Sequence, residues 1–290
     1  MKITNRLNLP SALVNAVRND PYSAGACDIS VTRLVSPPRI VALERQFHDK
    51  IEEDVSDRIW TIFGQAVHHI LERGEETAVT EERLSIERQA WVISGQFDRL
   101  VLAEGLLQDW KVSTVYSAGN GGRFEWEAQL NLLGTILREH GVRVEKLEVV
   151  VLMRDWSKTM SLRNPEYPEA AVIKIPVPLW SIERCEEYLD ERIRLHQAAR
   201  TELPLCEAQE RWAKPDTWAL KKVNRVKAVR VFDNEADAYA ACEVAGNEHS
   251  VEHRPGQNMR CQNFCSCAAF CSQWQAILKS GGNAGSDDPA

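Results

Sequence analysis

The order of periodicities along the chain predicts an α/β fold that ends in a cysteine-rich C-terminal region. An amphipathic stretch at 59–73 precedes a strand-rich stretch at 84–112, and helical and strand patterns then alternate to residue 200. Beyond Pro204 the composition changes, with basic and aromatic residues collecting and four cysteines falling between 261 and 271. The chain has 290 residues, 44% hydrophobic and 27% charged, enough for a full core and ordinary for a globular protein. Disorder, collagen and small disulfide scaffolds are excluded as whole-chain descriptions. No apolar run reaches the roughly 18 residues of a membrane span, and Met1–Pro10 has no apolar signal core. A cytoplasmic protein without a membrane partner is expected.

Residues 1–58 are expected to form a mixed helical and irregular segment, broken at Pro37-Pro38, with a helix over 39–50. Residues 59–203 are the expected core. Phe63, Val67 and Ile70 mark the apolar stripe of a helix over 59–73, with Gly64, His68 and Glu72 on the adjacent stripe. Strands are expected over 84–93, 94–103 and 106–112, with a tight turn at Glu104-Gly105. A helix over 125–140 ends at Gly141, strands follow at 147–153 and 171–177, and Ser181 caps a helix over 181–200. Residues 204–278 carry a basic hairpin (218–223 and 228–232), a helix after Asn234 and a short helix over 270–278. The Gly/Ser/Asp-rich tail, 279–290, is expected to be disordered.

The chemistry centres on Asp98, Asp109 and Lys111. Asp109 and Lys111 stand two residues apart on one strand, so their side chains share a face. A hairpin partner brings Asp98 opposite them. Two carboxylates facing one spot bind a hard divalent cation such as Mg²⁺, and a lysine beside them orients water or steadies phosphate charge. The flanking Leu106, Leu107, Trp110 and Val112 are apolar, so these charges are expected to be buried, where ionisable groups need partners or a metal. His68 upstream suits Mn²⁺ and other transition metals. His69 points about 100° away along the helix.

Taken in order, a helix with G-x-x-x-H (Gly64, His68), a strand with G-x-x-D (Gly95, Asp98), a strand with D-W-K (Asp109, Trp110, Lys111) and a helix with E-A-Q (Glu127 to Gln129) resemble the RecB-like branch of the PD-(D/E)XK nucleases. That branch includes AddB nuclease domains, CRISPR-associated RecB-like exonucleases and stand-alone phage relatives. The resemblance implies a restriction-endonuclease-like core, a mixed central sheet flanked by helices, and a metal-dependent DNA exonuclease of bacterial or phage-infected cells. By the same resemblance His68, Asp98, Asp109 and the Trp110 carbonyl hold Mg²⁺ or Mn²⁺, and Lys111 is the catalytic lysine. Gln129 matches the glutamine of the Q-x-x-x-Y motif, but Leu133 stands where the tyrosine is expected.

Cys261, Cys265 and Cys271 form C-x3-C-x5-C. In several RecB-like nucleases three C-terminal cysteines and one upstream cysteine bind a [4Fe–4S] cluster, and the resemblance extends to this triplet. The family's upstream cysteine precedes a Pro-Arg, and here Ser36-Pro37-Pro38-Arg39 lacks one. Cys27, Cys206 and Cys267 are the candidate fourth ligands. Thiolates this dense also suit tetrahedral Zn²⁺, or are reduced, buried cysteines.

The net charge of −7 argues against a polybasic protein, but Arg211–Arg230 holds seven basic residues and one acid, Asp216. Lys221, Lys222, Arg225, Lys227 and Arg230, with Trp212, Trp218 and Phe232 beside them, suit phosphate contacts and base stacking. The same pattern also fits a solvated hairpin whose aromatics face the core. The chain has no G-x-x-x-x-G-K-[ST], so helicase coupling requires a partner. The alternatives to a nuclease are a non-catalytic DNA-binding module on a degenerate nuclease fold and a zinc-stabilised adaptor.

Overall fold

Residues 79–177 supply the strands of one mixed sheet, and its apolar faces account for the helices beside it. The computed structural model describes residues 1–20, 23–75, 77–119 and 124–280. It divides into two units, residues 1–41 with 52–202 and residues 42–51 with 203–290.

The first unit opens with β1 (Lys2–Thr4), α1 (Ser11–Arg18), β2 (Ile29–Ser30) and α2 (Val31–Val35), and the chain leaves it within α3 (Pro38–Gln46), whose residues from 42 on belong to the second unit. β3 (Glu52–Asp54) pairs in parallel with β1, and α4 (Ile59–Gly74) follows. Next come β4 (Val79–Thr80), β5 (Arg83–Arg88), β6 (Trp91–Gln96), β7 (Arg99–Val101) and β8 (Leu106–Ser113). The unit continues through α5 (Val115–Gly119), α6 (Phe124–Glu139), β9 (Lys146–Met153), α7 (Lys158–Arg163), β10 (Val172–Val177) and α8 (Ile182–Ala198).

The five-stranded sheet runs β10-β9-β8-β7-β4, and a three-stranded sheet runs β2-β6-β5. β8 and β9 are parallel, with Asp109 opposite Val149 and Lys111 opposite Val151, and the other pairs of the larger sheet are antiparallel. A parallel pair needs a long crossover, which here contains α6. The core joins Leu107, Val149 and Val151 of the sheet to Leu130, Leu132, Leu133, Ile136 and Leu137 of α6 and to Leu189 and Ile193 of α8. Ser181 Oγ accepts from Arg184 N at 3.2 Å and caps α8 as its sequence predicts.

Two expectations from sequence need correction. The break expected at 93/94 lies at Gln89-Ala90, where both residues have positive φ (50° and 58°) and turn β5 into β6. Apolar continuity across 91–97 hid that turn. Asp98 is not in a strand but on the bend between β6 and β7.

The second unit contains β11 (Ala213–Lys214), β12 (Thr217–Lys222), β13 (Arg230–Phe232), α9 (Glu235–Ala245), β14 (His249–Arg254), β15 (Gln257–Asn258), α10 (Met259–Asn263) and α11 (Ser272–Lys279). The expected hairpin is β12–β13, and β14 completes its sheet on the other side of β12. Asn234 caps α9, accepting from Asp237 N at 2.9 Å. Phe232, Leu220 and Ala238 form a small core under the hairpin. Of the tail expected to be disordered, residues 281–290 lie outside the described residues. No described helix is long and apolar enough to cross a membrane.

Candidate metal centre

α4 lies beside β8 and delivers His68 to the strand's backbone. Nε2 donates to the Trp110 carbonyl at 3.1 Å. Nδ1 faces Glu81 Oε1 at 3.1 Å and Asp98 Oδ1 at 3.5 Å. A carbonyl and an ionised carboxylate accept, so with Glu81 and Asp98 ionised both ring nitrogens face acceptors, which favours the imidazolium. Burial works against that charge, but the hydrogen bond to Glu81 and the charge of Asp98 outweigh it and raise His68 to about 9.

Asp98 is fixed from the other side, its Oδ2 accepting from Trp110 N at 2.6 Å. Burial and then the charge of Asp109 raise its carboxyl to about 7. The like charge of Asp109 acting on Asp98 is what a bound cation would offset. His68, Glu81 and Asp98 place one ligand atom each within 4.8 Å of one another, the one such grouping among the described residues.

Asp109 and Lys111 lie on one face of β8, as their spacing predicts. Lys111 Nζ stands 2.7 Å from Asp109 Oδ2 and donates to Oδ1 at 2.9 Å. Gln129 from α6 joins both, donating to Asp109 Oδ1 at 3.2 Å and accepting from Lys111 at 3.5 Å. Burial opposes the Lys111 charge, but Asp109 and Asp98 raise its pKa, so it stays protonated. Asp109 is 3% exposed, and its Oδ2, despite the nearby ammonium, has no well-aligned hydrogen-bond donor. On the opposite face of β8 Gln108 is bracketed by Arg99, at 2.6 Å, and Glu148. A triad of carboxylate oxygen and imidazole ligands, with the buried charge of Asp109 acting on it, fits a divalent cation.

Of the sequence-predicted residues, His68 and Asp98 meet at the Trp110 backbone, and Asp109, Lys111 and Gln129 meet one another; Glu81 rather than Asp109 completes the grouping with His68 and Asp98. Glu81 was not foreseen. It precedes β5 in the left-handed region (φ 51°), its N–H donates to Asp98 O at 3.3 Å, and Gln96 donates to its Oε2 at 2.7 Å. A non-glycine residue held there costs about 1–2 kcal/mol, and such strain gathers at functional sites. The available signal was only the acid pair Glu81-Glu82 at a strand boundary. Glu72 instead pairs with His69 at 3.6 Å. Leu133 is buried, and a Cβ on Gly95 would collide with it, so the G-x-x-D glycine lets α6 approach β6.

In the second unit all four clustered cysteines are free thiols, as are the other four of the chain. Cys265 Sγ and Cys267 Sγ are 3.5 Å apart. The hydrogen bond with Cys267 lowers Cys265 to about 7, and the same bond with burial raises Cys267. Burial and the neighbouring Cys265 and Cys271 raise Cys261 to about 11. The Cys206 backbone pairs with the Gln273 side chain, 2.8 Å in each direction. Cys27 belongs to the first unit, donating to Ala24 O at 3.3 Å and accepting from Ser94 Oγ at 3.2 Å. On the hairpin, Lys221 pairs with Glu252 at 2.8 Å and Lys222 with Glu248 at 3.0 Å. Arg230 lies 4.7 Å over the Phe232 ring, Phe232 itself is buried, and Arg225 and Lys227 lie between β12 and β13.

Among the solved structures similar to this chain are two that illustrate the likeness. The crystal structure of SSO0001 is 16% identical with a TM-score of 0.47, covering 69% of this chain and 88% of that one. A phage-related exonuclease from Haemophilus somnus 129PT is 12% identical with a TM-score of 0.29, covering 66% and 79%. No protein-family model matches the sequence, and no curated protein is similar to it.

Proposed function

We propose that the protein is a divalent-metal-dependent deoxyribonuclease of the RecB-like PD-(D/E)XK class, acting as an exonuclease in DNA replication, recombination or phage DNA processing. The observation that carries this reading is the convergence of His68, Glu81 and Asp98, with the charge of Asp109 acting on Asp98. With the Trp110 carbonyl, these residues would hold Mg²⁺ or Mn²⁺. A bound cation supplies Lewis acidity at a phosphoryl oxygen and makes water a stronger nucleophile. Lys111, held protonated by Asp109 and Asp98, acts as a fixed cation toward the phosphate rather than as a base. Gln129 holds Asp109 and Lys111 in register. The chain has no P-loop, so duplex unwinding falls to a helicase or recombination partner. In the same reading Cys261, Cys265 and Cys271 bind a [4Fe–4S] cluster or Zn²⁺, with Cys267 or Cys206 as fourth ligand, and the residues around Arg225 and Lys227 guide DNA.

Degradation of end-labelled linear DNA with Mg²⁺ or Mn²⁺ tests the reading. The wild type is expected to degrade linear DNA and spare closed circles, and Asp109→Ala and Lys111→Ala to lose about 100-fold or more. A wild type that cuts no DNA form with either metal overturns it. Metal analysis of anaerobically purified protein separates iron with sulfide from zinc. One observation favours a second reading: Leu133, buried against Gly95, replaces the family's tyrosine. A module that binds DNA without cutting it would retain DNA in the presence of metal and release no product.

A further inference from the structure

We infer that Trp60, Phe63 and Arg154 form a stacking platform that takes an unpaired base and its phosphate, so that the substrate is engaged as a single strand beside the metal centre. The inference rests on the nuclease reading and names the form of DNA that the site accepts. α4 has no buried residue, although its composition is apolar enough to seat it. Trp60 is 53% exposed and Phe63 46%, and their rings meet edge to face with centroids 6.2 Å apart. The pair keeps much of its aromatic surface in water, apart from the Trp60 face under Arg154, and an exposed aromatic pair next to a candidate site marks a contact surface.

Two further observations point to a nucleotide. The Arg154 guanidinium lies 4.0 Å over the Trp60 ring and forms no ion pair among the described residues, so its charge is uncompensated. A ring with a free guanidinium matches a base with its phosphate, whereas an apolar protein segment would leave that charge unpaired. The position is also continuous with the site. Arg154 N donates to Ser113 O at 2.9 Å, and Ser113 stands about 7 Å beyond Lys111 on the same face of β8. Trp60 is two helical turns from His68, about 12 Å along α4. The platform therefore lies at the C-terminal end of the parallel pair β8–β9, where open α/β sheets bind ligands.

Base stacking tolerates any base but needs it unpaired, so the effect is expected on single strands and not on duplex. The test is fluorescence anisotropy of the full chain in EDTA, with a labelled oligothymidylate and a labelled blunt hairpin duplex as probes. Trp60→Ala is expected to weaken oligothymidylate binding about 5- to 100-fold and Trp60→Phe to restore most of it. Hairpin affinity should change less than twofold. Arg154→Ala should weaken both probes and reduce the salt dependence by about one phosphate contact. Single-strand affinity within twofold of wild type in Trp60→Ala/Phe63→Ala, with an unchanged thermal melt, overturns the platform. So does loss of a dimer in these variants by sedimentation, which would make the face a contact between copies. In either case, wild-type cleavage of DNA leaves the nuclease reading standing.

Discussion

Two helices of sixteen residues, α4 and α6, flank β8, and each gives the site one side chain, His68 and Gln129. They otherwise have little in common. α6 is buried almost all round from Ala128 to Leu137, and its polar members are satisfied: Asn131 donates to Glu127 O and Pro178 O and accepts from Trp180 N. α4 has no fully buried residue, Ile62 being only partly covered by Val14, Val17 and Val55, and it turns Trp60, Phe63 and Ile70 to solvent. A helix that holds the fold and a helix that presents chemistry can thus share length and apolar content. The difference lies in whether neighbouring elements remove the apolar face from water.

Substitutions sharpen this contrast, and the largest effect is expected on activity. His68→Ala should reduce DNA cleavage about 100- to 1000-fold and lower the urea midpoint less than a core truncation on α6 does. A large fall in that midpoint would show that α4 supports the fold as α6 does. Truncation of the core face comes next: Leu130→Ala on α6 should cost about 2–5 kcal/mol and Ile70→Ala on α4 less than about 0.5 kcal/mol, measured by denaturant unfolding. Equal costs would erase the contrast.

The approach of α6 to β6 gives a third measurement. Gly95→Ala should destabilise by about 1–3 kcal/mol because the new methyl meets Leu133. In a Leu133→Ala background the same change should cost markedly less, a coupling that a double-mutant cycle reads directly. Additive costs would place the strain elsewhere.

A pH-dependent effect concerns α8, which packs on α6 and carries His196. Burial and then Arg192 lower His196 to about 4, against the hydrogen bond from Nε2 to Leu34 O at 3.0 Å, and Arg33 adds to the lowering. The unfolded chain therefore binds the proton more readily between pH 6.5 and 4, and stability falls as pH drops through that window. Between pH 7.5 and 5 the loss from this group is about 2 kcal/mol. In His196→Gln that part of the pH dependence should vanish; an unchanged slope would mean that other groups carry it.

Much of this was legible in the sequence. D-W-K puts Asp109 and Lys111 on one face because strand side chains alternate, and Ser181, Asn234 and Gly141 mark helix ends by their own backbone chemistry. The helical spacing of 59–73 was also legible, but not that its stripe faces water. Glu81 was hidden among neighbouring acids, and β14 was missed because His249 to Arg254 is a polar run with little strand signature.

The sequence by itself determined the local geometry: which residues share a strand face, where helices start, and that buried charge near Asp109 needs a partner. Only the tertiary structure decided which distant groups meet. Bringing His68, Glu81 and Asp98 within 4.8 Å depends on a left-handed backbone at Glu81, a bend at Asp98 and the docking of α4 on β8. Those depend on packing between segments far apart in the chain, to which residue spacing carries no direct signal.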